Sequence, residues 1–306
     1  MKNWIHAARL RTLPLSVSGI IMGSAYAYYQ NTFNVSIFGL AILTTLLFQI
    51  LSNYANDYGD GVKGTDANRI GEKRLVAAGV ITAQQMKNAV ILFSILSLLS
   101  ALALIYTAFG KENFLISSIF ILLGISAIGA AIKYTVGSNA YGYNGMGDLF
   151  VFVFFGLVSV VGSNFLYSHF IDWKIILPAI SIGLLSVAVL NLNNMRDIEN
   201  DKAAGKKTLV VKMGLEKAKK YHHFLILIPF LFLFFFSVFI QINFSASFFV
   251  FLFLLFHLKT VRKAKKYEDF DPELKKVALS TFALSVLFWL TLFYIKEITY
   301  YLMLAS

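Results

Sequence analysis

The stretch VSIFGLAILTTLLFQILSNYANDYGDGVKGTD, residues 35–66, decides the fold class of this chain. Its apolar part, residues 35–56, has about the length that an α-helix needs to cross a ~30 Å hydrocarbon core. Directly after this apolar part, the stretch places Asp57, Asp60 and Asp66 close together. The stretch therefore predicts a membrane-spanning helix followed by a cluster of carboxylates.

Apolar runs of similar length recur along the whole chain. Of its 306 residues, 58% are hydrophobic and 14% are charged, and the mean hydropathy of +0.70 is too high for a soluble domain. The runs are unbroken, whereas the strands of a membrane barrel alternate apolar and polar residues, so a barrel is excluded. We predict one all-α, polytopic transmembrane domain over residues 1–306, with its helices around a central cavity. About nine spans are predicted, at approximately 12–30, 35–56, 85–109, 113–133, 147–169, 174–195, 221–241, 244–260 and 277–303.

The basic residues predict the orientation of the chain in the membrane. With a cytoplasmic N-terminus, all of the 27 Lys and Arg residues except Lys111, Lys174 and Lys296 fall on the cytoplasmic side. Because basic residues favour cytoplasmic loops, this distribution supports both the span count and the direction. The formal net charge of +11 follows from this topology and from anionic lipid head groups, so it indicates the lipid bilayer as a partner and requires no nucleic acid.

Two long cytoplasmic loops carry acids beside bases. The first, residues 53–84, follows the second span, and the other, residues 191–220, follows the sixth. The first contains the pattern Asn56-x3-Asp60, and the second contains Asn193-x3-Asp197-x3-Asp201. Since the loops are four spans apart, their preceding helices run in the same direction. We therefore predict an internal duplication, with related halves at about 1–133 and 134–306.

The spacing of these acids suggests a metal site. Residues four apart share one face of a helix, and grouped carboxylates repel one another unless a cation lies between them. The chain has no cysteine, which excludes thiolate sites, whereas Mg²⁺ takes oxygen ligands and shares them with substrate phosphates. The predicted metal ligands are Asn56, Asp57, Asp60, Asp66, Asn193, Asn194, Asp197 and Asp201.

Basic side chains surround both acidic clusters, and together with bound Mg²⁺ they would form a receptacle for a diphosphate. A diphosphate at a membrane suggests a lipid attached to it. The alternative is that these are ordinary hydrophilic loops whose acids offset neighbouring bases. The predicted diphosphate-binding residues are Lys63, Arg69, Lys73, Arg74, Arg196, Lys206 and Lys207.

The motifs NDYGDGVKGTD (56–66) and NLNNMRDIENDKAAGKKTLVVKMG (191–214), on about nine predicted spans, resemble those of the UbiA superfamily of intramembrane aromatic prenyltransferases. The resemblance covers nearly the whole chain. It implies Mg²⁺-dependent joining of a polyprenyl diphosphate to an aromatic acceptor. It places Asn56 in the first aspartate-rich motif, and it implies a catalytic role for the four motif acids Asp60, Asp66, Asp197 and Asp201.

The first motif departs from the pattern of many members, N-D-x-x-D-x-x-x-D, which would demand an acid at Gly64. The spacing found here is similar to that of the naphthoquinone-forming branch, as are RTLPLS (11–16), RIGEKRLVAAGVIT (69–82) and YTVGSNAYGYNGMGDLFVFVFFG (134–156). This likeness implies 1,4-dihydroxy-2-naphthoate as acceptor, loss of CO₂ and a demethylmenaquinol product. It also implies a bacterial inner-membrane location with the site facing the cytoplasm. A hydroxybenzoate or homogentisate acceptor, or a non-enzymatic transporter, remains an alternative.

Five further residues are candidates for contact with the acceptor or with an allylic cation. Aromatic faces shield cations, so Tyr134, Tyr141 and Tyr143, in the loop before the fifth span, are candidates for this role. Arg11 is placed either to meet an acceptor carboxylate or to anchor the first span. Asp148 is either an acid near the acceptor or an N-cap of the fifth span.

Two other polar features are predicted to lie outside the site. His222 and His223 begin the seventh span and have no further ligand at metal spacing, so we expect interfacial positions for them. The run KTVRKAKKYEDFDPELKK, residues 259–276, mixes both signs of charge and contains Pro272. We predict that this run is a solvated connection that touches lipid head groups.

Overall fold

The computed structural model describes residues 1–65, 74–137, 140–244 and 247–305 of the chain, and within them it is helical without a strand. The sixth helix contains a π-helical segment, Phe152–Gly162, between two α-helical ends. The helices are α1 (Lys2–Ala8), α2 (Leu13–Tyr29), α3 (Val35–Lys63), α4 (Ala83–Phe109), α5 (Phe114–Lys133), α6 (Gly147–Ser168), α7 (Ile176–Arg196), α8 (Ile198–Ala203), α9 (Leu209–Met213), α10 (Leu215–Phe239), α11 (Ser247–Lys263) and α12 (Phe270–Ala305).

The all-α fold with many apolar spans is confirmed. Among the residues that the structure describes, seven helices are long and apolar enough to cross a membrane, namely α3, α4, α5, α6, α7, α10 and α12. Helices α2 and α11 coincide with two further predicted spans, and each has 17 residues. The count of nine spans and the cytoplasmic side of the N-terminus stay predictions.

Helix α7 is the central helix of the bundle. It packs against α10, α12 and the π-helical segment of α6, and its residues Ile182, Leu185 and Leu192 are fully buried. Small residues bring α6 and α7 close together, since a Cβ on Gly156 would lie 2.7 Å from the Cα of Gly183. Helix α7, whose C-terminal end carries the second acidic motif, is therefore surrounded by other helices of the bundle.

Helix α2 packs on α6 through small residues four positions apart. Gly19 faces Ser159, and Gly23 faces Ser163, at positions where a Cβ on either glycine would meet the serine side chain. Small residues at this spacing let two membrane helices approach closely. Because α2 also packs along α12, helices α2, α6, α7 and α12 form one tightly packed side of the bundle.

The other side of the bundle is more loosely built. Helix α3 packs against α4 and α5, but no residue of α5 is buried. Side chains of α3, α4 and α5 face those of α2 and α6 across a cavity of about 460 Å³. The cavity thus lies between the two groups of helices.

The structure corrects the predicted loop boundaries. Helix α3 continues through residues 53–63, so residues 56–63 of the first motif lie on its last turns and not in a loop. Gly64 ends the helix in the left-handed conformation with φ 69°, which a residue with a side chain adopts only with strain. Likewise, residues 191–196 form the last turns of α7, and α8 follows. The two motifs meet at one end of the bundle, while the internal duplication stays a prediction.

Candidate active site

The two acidic motifs line one small polar cavity at this end of the bundle. Asp60 from α3, Asp197 after α7 and Asp201 from α8 are each 5% exposed or less. The complete lining is Asp60, Arg74, Tyr134, Thr135, Gly142, Tyr143, Asn193, Asn194, Asp197, Asn200, Asp201, Lys206 and Thr208. Asp60 thus lines the same cavity as Asp197 and Asp201, although these two acids lie more than 130 positions later in the chain.

Asp60 accepts hydrogen bonds from several directions. Its Oδ1 lies 2.6 Å from the hydroxyl of Tyr143 and 3.2 Å from Nζ of Lys206. Its Oδ2 lies 3.4 Å from Nη2 of Arg74, which is itself buried. Two cations and a phenol therefore stabilise this carboxylate in the buried environment.

Lys206 connects the first motif to the second. Its Nζ lies 3.2 Å from Asp60 and 3.8 Å from Oδ1 of Asp201, so one ammonium group stands between two carboxylates. The side chain of Asn200 also donates to the carbonyl of Thr65 at 2.9 Å, which ties the second motif to the residue after Gly64. In this arrangement a cation already occupies the space between the motifs.

The donor set matches a hard divalent ion. Asp60, Asp197 and Asp201 supply carboxylate oxygens, and Asn194 adds an amide on the same cavity wall. In the part of the chain that the structure describes, no group of three or more His, Asp or Glu side chains is already drawn together around one point. The position of Lys206 between two of these acids indicates that the site accommodates positive charge.

Arg196 clamps Asp197. Its Nε and Nη2 each donate to one oxygen of that carboxylate at 2.8 Å, and Nη2 also lies 2.8 Å from Oδ1 of Asn193. Its Nη1 donates to Oδ1 of Asp271 at 2.5 Å. The side chain of Arg196 is fully buried and does not line the polar cavity, so its contacts are with the motif and with Asp271 and not with the cavity space.

Asp57 has a different environment from its motif neighbour. It is 1% exposed, and its two carboxylate oxygens accept the backbone N–H groups of Leu75 and Val76 at 3.1 and 3.0 Å. It does not line the polar cavity. The contact that the structure shows for Asp57 is the attachment of residues 74–81 to α3, and its role as a metal ligand stays a prediction.

Asn56 and Lys63 both contact Thr135. The hydroxyl of Thr135 donates to Oδ1 of Asn56 at 3.3 Å, and Nζ of Lys63 donates to the carbonyl of Thr135 at 2.8 Å. The Lys63 ammonium also lies 4.1 Å from the centre of the Tyr143 ring. Lys63 is therefore beside the polar cavity, while Asn56 faces the larger one.

Not all predicted diphosphate-binding and motif residues come together. Asp66, Arg69 and Lys73 lie outside the described residues. The Lys207 side chain is exposed and does not line the polar cavity, although its backbone N–H donates to the carbonyl of Tyr143 at 2.7 Å. The structure thus brings Arg74 and Lys206 to the carboxylates but leaves the Lys207 side chain outside.

The polar cavity adjoins the larger, mainly apolar cavity described above. The residues that line both are Arg74, Tyr134 and Asn193. The polar side chains on the larger cavity, near the N-terminus and the first motif, include Arg9, Arg11, Thr12, Gln49, Asn53 and Asn56. The remainder is lined largely by aliphatic and phenylalanine side chains of α2 to α6. A ligand with a charged head and a long apolar tail would therefore match both cavities, with its head in the polar cavity and its tail in the larger one.

A row of aromatic rings runs from the polar cavity into the apolar one. Tyr134 lies edge-on to Tyr141 at 5.3 Å, Tyr141 stacks on Phe150 at 4.0 Å, and Phe150 stacks on Phe154 at 6.2 Å between ring centres. Burial raises the pKa of Tyr134 and of Tyr141, so both phenols stay neutral. Neutral aromatic faces at this place are suited to shielding a cation.

The two remaining candidates differ in position. Arg11 lines the larger cavity, and its Nη1 lies 3.7 Å from Oδ2 of Asp271. Asp148 lies in the first turn of α6, lines neither cavity and accepts a hydrogen bond from the Tyr221 hydroxyl at 3.3 Å. The N-cap residue of α6 is Met146, so Asp148 is not the N-cap, and its role as an acid near the acceptor stays a prediction.

The structure corrects two expectations about the second half. His222 is fully buried, not interfacial, and its Nε2 lies 2.8 Å from Nε2 of His257. Within the run 259–276, Glu273 is 1% exposed and Asp271 contacts Arg196, so this run is not simply a solvated connection. The charge pattern missed these contacts because the partners lie on other helices.

Three residues near the acids were not predicted from the sequence. Asn200 lies within the second motif, one position before Asp201. Its place in this polar segment could have identified it as a candidate residue of the site. Thr135 and Asp271 carried no signal of their own, since each acts through a partner that is far away in the sequence.

Comparisons with known proteins agree with this geometry. Residues 16–289 match the model of the UbiA prenyltransferase family. The chain is 49% identical over 234 residues to a 1,4-dihydroxy-2-naphthoate octaprenyltransferase of Haemophilus influenzae, covering 76% of this chain and 75% of that protein. It is 48% identical over 225 residues to the protein of the same name in Escherichia coli, covering 73% and 72%.

Among solved structures, a UbiA homologue from Archaeoglobus fulgidus bound to GPP and Mg²⁺ has the same fold. It superposes with a TM-score of 0.70 and 17% sequence identity, over 96% of this chain and 99% of that one. The family match covers most of the chain, and the fold agrees with it. The chain belongs to the UbiA prenyltransferase family.

Proposed function

We propose that this chain transfers a polyprenyl group from a polyprenyl diphosphate to 1,4-dihydroxy-2-naphthoate, with loss of diphosphate and CO₂, to give a demethylmenaquinol. The observation that carries the proposal is the junction of two cavities. A polar cavity with three carboxylates and two cations adjoins an apolar cavity with a basic end. The names of the bacterial relatives support the choice of acceptor, and they support a bacterial inner membrane as the location.

Mg²⁺ is the metal we propose, held by Asp60, Asp197 and Asp201 together with Asn194 and Asp66. The homologue solved with GPP and Mg²⁺ supports this assignment, as does the oxygen-rich wall of the polar cavity. When bound, a divalent ion neutralises the negative charge of a departing diphosphate.

The basic residues bind the diphosphate. Arg74 and Lys206 now lie on Asp60, and they would turn toward phosphate oxygens once those oxygens enter the cavity. Lys63 lies beside them, and a rotation of its side chain away from the carbonyl of Thr135 would bring its ammonium group toward the diphosphate. Fixed cations that face developing charge supply a large share of catalysis in such sites, because they require no reorganisation during the reaction.

The apolar cavity holds the prenyl chain and keeps water from the allylic cation. Its aliphatic lining excludes water, and the rings of Tyr134 and Tyr141 lie where the cation would form next to the diphosphate. Tyr143, which donates to Asp60, belongs to the polar wall and contributes to orienting that carboxylate.

The acceptor enters at the basic end of the apolar cavity. Arg11 and its neighbour Arg9 offer positive charge for the naphthoate carboxylate, and Asn53 and Thr12 are hydrogen-bonded to each other on the same wall. We place this end toward the cytoplasm, in one domain built from two related halves. An acceptor of the hydroxybenzoate or homogentisate type would meet the same charges, so the assay has to compare all three.

A reconstituted assay tests the proposal and its metal. Purified protein with Mg²⁺, a polyprenyl diphosphate and dihydroxynaphthoate is expected to form a prenylated quinol and release diphosphate, and a chelator is expected to stop this until Mg²⁺ is restored. Asp201→Asn is expected to lower the rate by about 100-fold, because it removes a carboxylate from the metal wall. Product is measured by mass spectrometry for each of the three acceptors.

Glu199→Gln is the matched control. Glu199 is an exposed acid on the same short helix, two positions before Asp201, and it bonds to Lys202 and not to the polar cavity. This variant is expected to keep the activity of the unchanged chain. Absence of prenylated product from all three acceptors would contradict the proposed reaction, and full activity of Asp201→Asn would contradict the metal assignment.

A further inference from the structure

Asp271 connects the last helix to the second acidic motif. It lies in the first turn of α12, and its Oδ1 accepts from Nη1 of Arg196 at 2.5 Å. Arg196 in turn holds both oxygens of Asp197. A continuous chain of contacts therefore runs from α12 through one buried guanidinium to a carboxylate of the polar cavity.

The position of Arg196 is determined from both sides. Its guanidinium is planar and presents its donors in fixed directions, so a bidentate contact on one edge sets the orientation of the whole group. Asp197 and Asn193 occupy one side, and Asp271 occupies another. The Arg196 side chain is fully buried. Without Asp271, Nη1 of this buried cation would lose the acceptor of its hydrogen bond.

The first turn of α12 is itself fixed in place. Two residues after Asp271, the Glu273 carboxylate pairs with Nδ1 of His257 on α11 and with Lys276 on α12, each at 2.5 Å. His257 continues to His222 on α10 at 2.8 Å. This network joins α10, α11 and α12 two residues after Asp271, so it holds the first turn of α12 against the neighbouring helices.

We propose that Asp271 is a positioning residue that keeps Arg196 on Asp197, and that Arg196 acts on this motif acid and not on the diphosphate. The inference rests on the proposed function in that Asp197 is taken as a metal ligand. A carboxylate offers about four lone-pair positions, so two bonds to Arg196 leave capacity for a metal while fixing the direction in which that capacity points.

The test separates metal binding from diphosphate binding. Asp271→Asn and Arg196→Lys remove the contact from either side, Asp271→Glu restores the charge, and Glu268→Gln removes an exposed acid of the same segment as the matched control. Binding of Mn²⁺ is titrated by electron paramagnetic resonance on each purified protein, first without diphosphate and then with inorganic diphosphate equimolar to the protein. The Mg²⁺ dependence of prenyl transfer and the KM for polyprenyl diphosphate are measured in parallel.

Asp271→Asn and Arg196→Lys are both expected to weaken Mn²⁺ binding and to raise the Mg²⁺ requirement by about tenfold, as loss of an outer partner of a metal ligand does. The KM for polyprenyl diphosphate at saturating Mg²⁺ is expected to change by less than about twofold. Asp271→Glu is expected to recover most of the loss, and Glu268→Gln to behave as the unchanged chain. Arg196→Lys leaves the Arg11 contact of Asp271 intact, so it isolates the branch toward Asp197.

Unchanged Mn²⁺ binding in both variants would overturn the inference. It would also be overturned by a rise in the KM for polyprenyl diphosphate without a change in Mn²⁺ binding, since Arg196 would then act on the diphosphate. If Asp271→Asn fails to fold in a thermal unfolding control, Arg196→Lys decides alone. If the unchanged chain shows no prenyl transfer, the proposed function fails, while the Mn²⁺ titration still decides the role of Asp271.

Discussion

At the scale of single residues, Gly59 determines how closely Thr135 approaches the first motif. A Cβ at Gly59 would lie 2.5 Å from Oγ1 and 2.9 Å from the carbonyl carbon of Thr135. With hydrogen in that place, the Thr135 hydroxyl reaches the carbonyl of Ala55 at 3.1 Å and the side chain of Asn56 at 3.3 Å. Because Gly59 has no side chain, Thr135 packs directly on α3 and forms part of the wall of the polar cavity.

Gly59→Ala is expected to lower the free energy of unfolding by roughly 1–3 kcal/mol, because the added methyl group pushes Thr135 away from α3. Prenyl transfer should fall with it, since Thr135 lines the polar cavity. Thermal unfolding in detergent and the rate of product formation measure the two effects.

Gly39→Ala is the matched control on the same helix, because a Cβ there meets nothing within 4 Å. This change is expected to leave the stability equal or higher, as alanine favours helix by about 1 kcal/mol over glycine. Equal behaviour of the two variants would contradict the proposed contact.

Single residues also show what the sequence could and could not predict. Asp60, Asp197 and Asp201 were predicted as metal ligands from their spacing, because residues four apart on a helix share a face, and the structure places all three on the polar cavity. Asp271 and Thr135 could not be found in this way, since their partners are distant in the sequence and only the packing of helices brings them together.

At the scale of elements, the contact between α2 and α6 shows how small residues position the site. Gly23 faces Ser163 and the carbonyl of Val160, and that carbonyl belongs to the backbone of the π-helical segment. A backbone atom cannot rotate away as a side chain can. The distance between α2 and α6, and with it one wall of the larger cavity, therefore depends on this glycine.

Gly23→Ala is expected to destabilise the protein by roughly 1–3 kcal/mol, because α2 must move away from α6 to admit the methyl group. Gly129→Ala on α5 is the control, since a Cβ there meets nothing within 4 Å. Thermal unfolding of both variants in the same detergent measures the difference. A loss of stability in Gly129→Ala as large as in Gly23→Ala would argue against the close contact.

Helix positions were predicted well from hydropathy, but helix ends were not. The apolar run placed α3 at 35–56, whereas the helix continues to Lys63 because the motif residues bond to partners inside the bundle. Hydropathy reports contact with lipid, and it carries no information on polar turns that are satisfied by other helices.

At the scale of the whole molecule, we expect the larger cavity to limit which prenyl chains fit. Ala101 on α4 lines this cavity and is buried, and it lies close to Gly124 on α5. Both positions line the cavity and carry little or no side chain, so they leave room in the cavity beside α4 and α5. Larger side chains here would shorten the room available to a prenyl chain.

Ala101→Phe is expected to lower kcat/KM for long polyprenyl diphosphates relative to geranyl diphosphate by about tenfold or more, because the ring occupies space needed by the chain. Ala103→Phe is the control, since Ala103 is exposed on the same helix and does not line the cavity. Product chain lengths are read by mass spectrometry. An unchanged preference in Ala101→Phe would place the prenyl chain elsewhere.

The overall architecture followed from composition alone, whereas the cavity did not. Nine apolar runs required a helical membrane protein, because only helices and closed barrels satisfy the backbone in lipid. Which helices pack tightly, such as α2 on α6, and which leave space, such as α5, depends on side-chain volumes across pairs that are distant in the sequence.

Lys206 also affects the order in which charged partners enter. Between Asp60 and Asp201, its ammonium group would repel a divalent cation that arrives alone, and the same two carboxylates would repel a bare diphosphate. If both partners arrived together, Lys206 would be free to contact phosphate oxygens, and Asp60 and Asp201 would be the carboxylates available to hold the cation. We therefore expect the metal and the diphosphate to bind together as one complex. The net charge inside the cavity would then change little on binding.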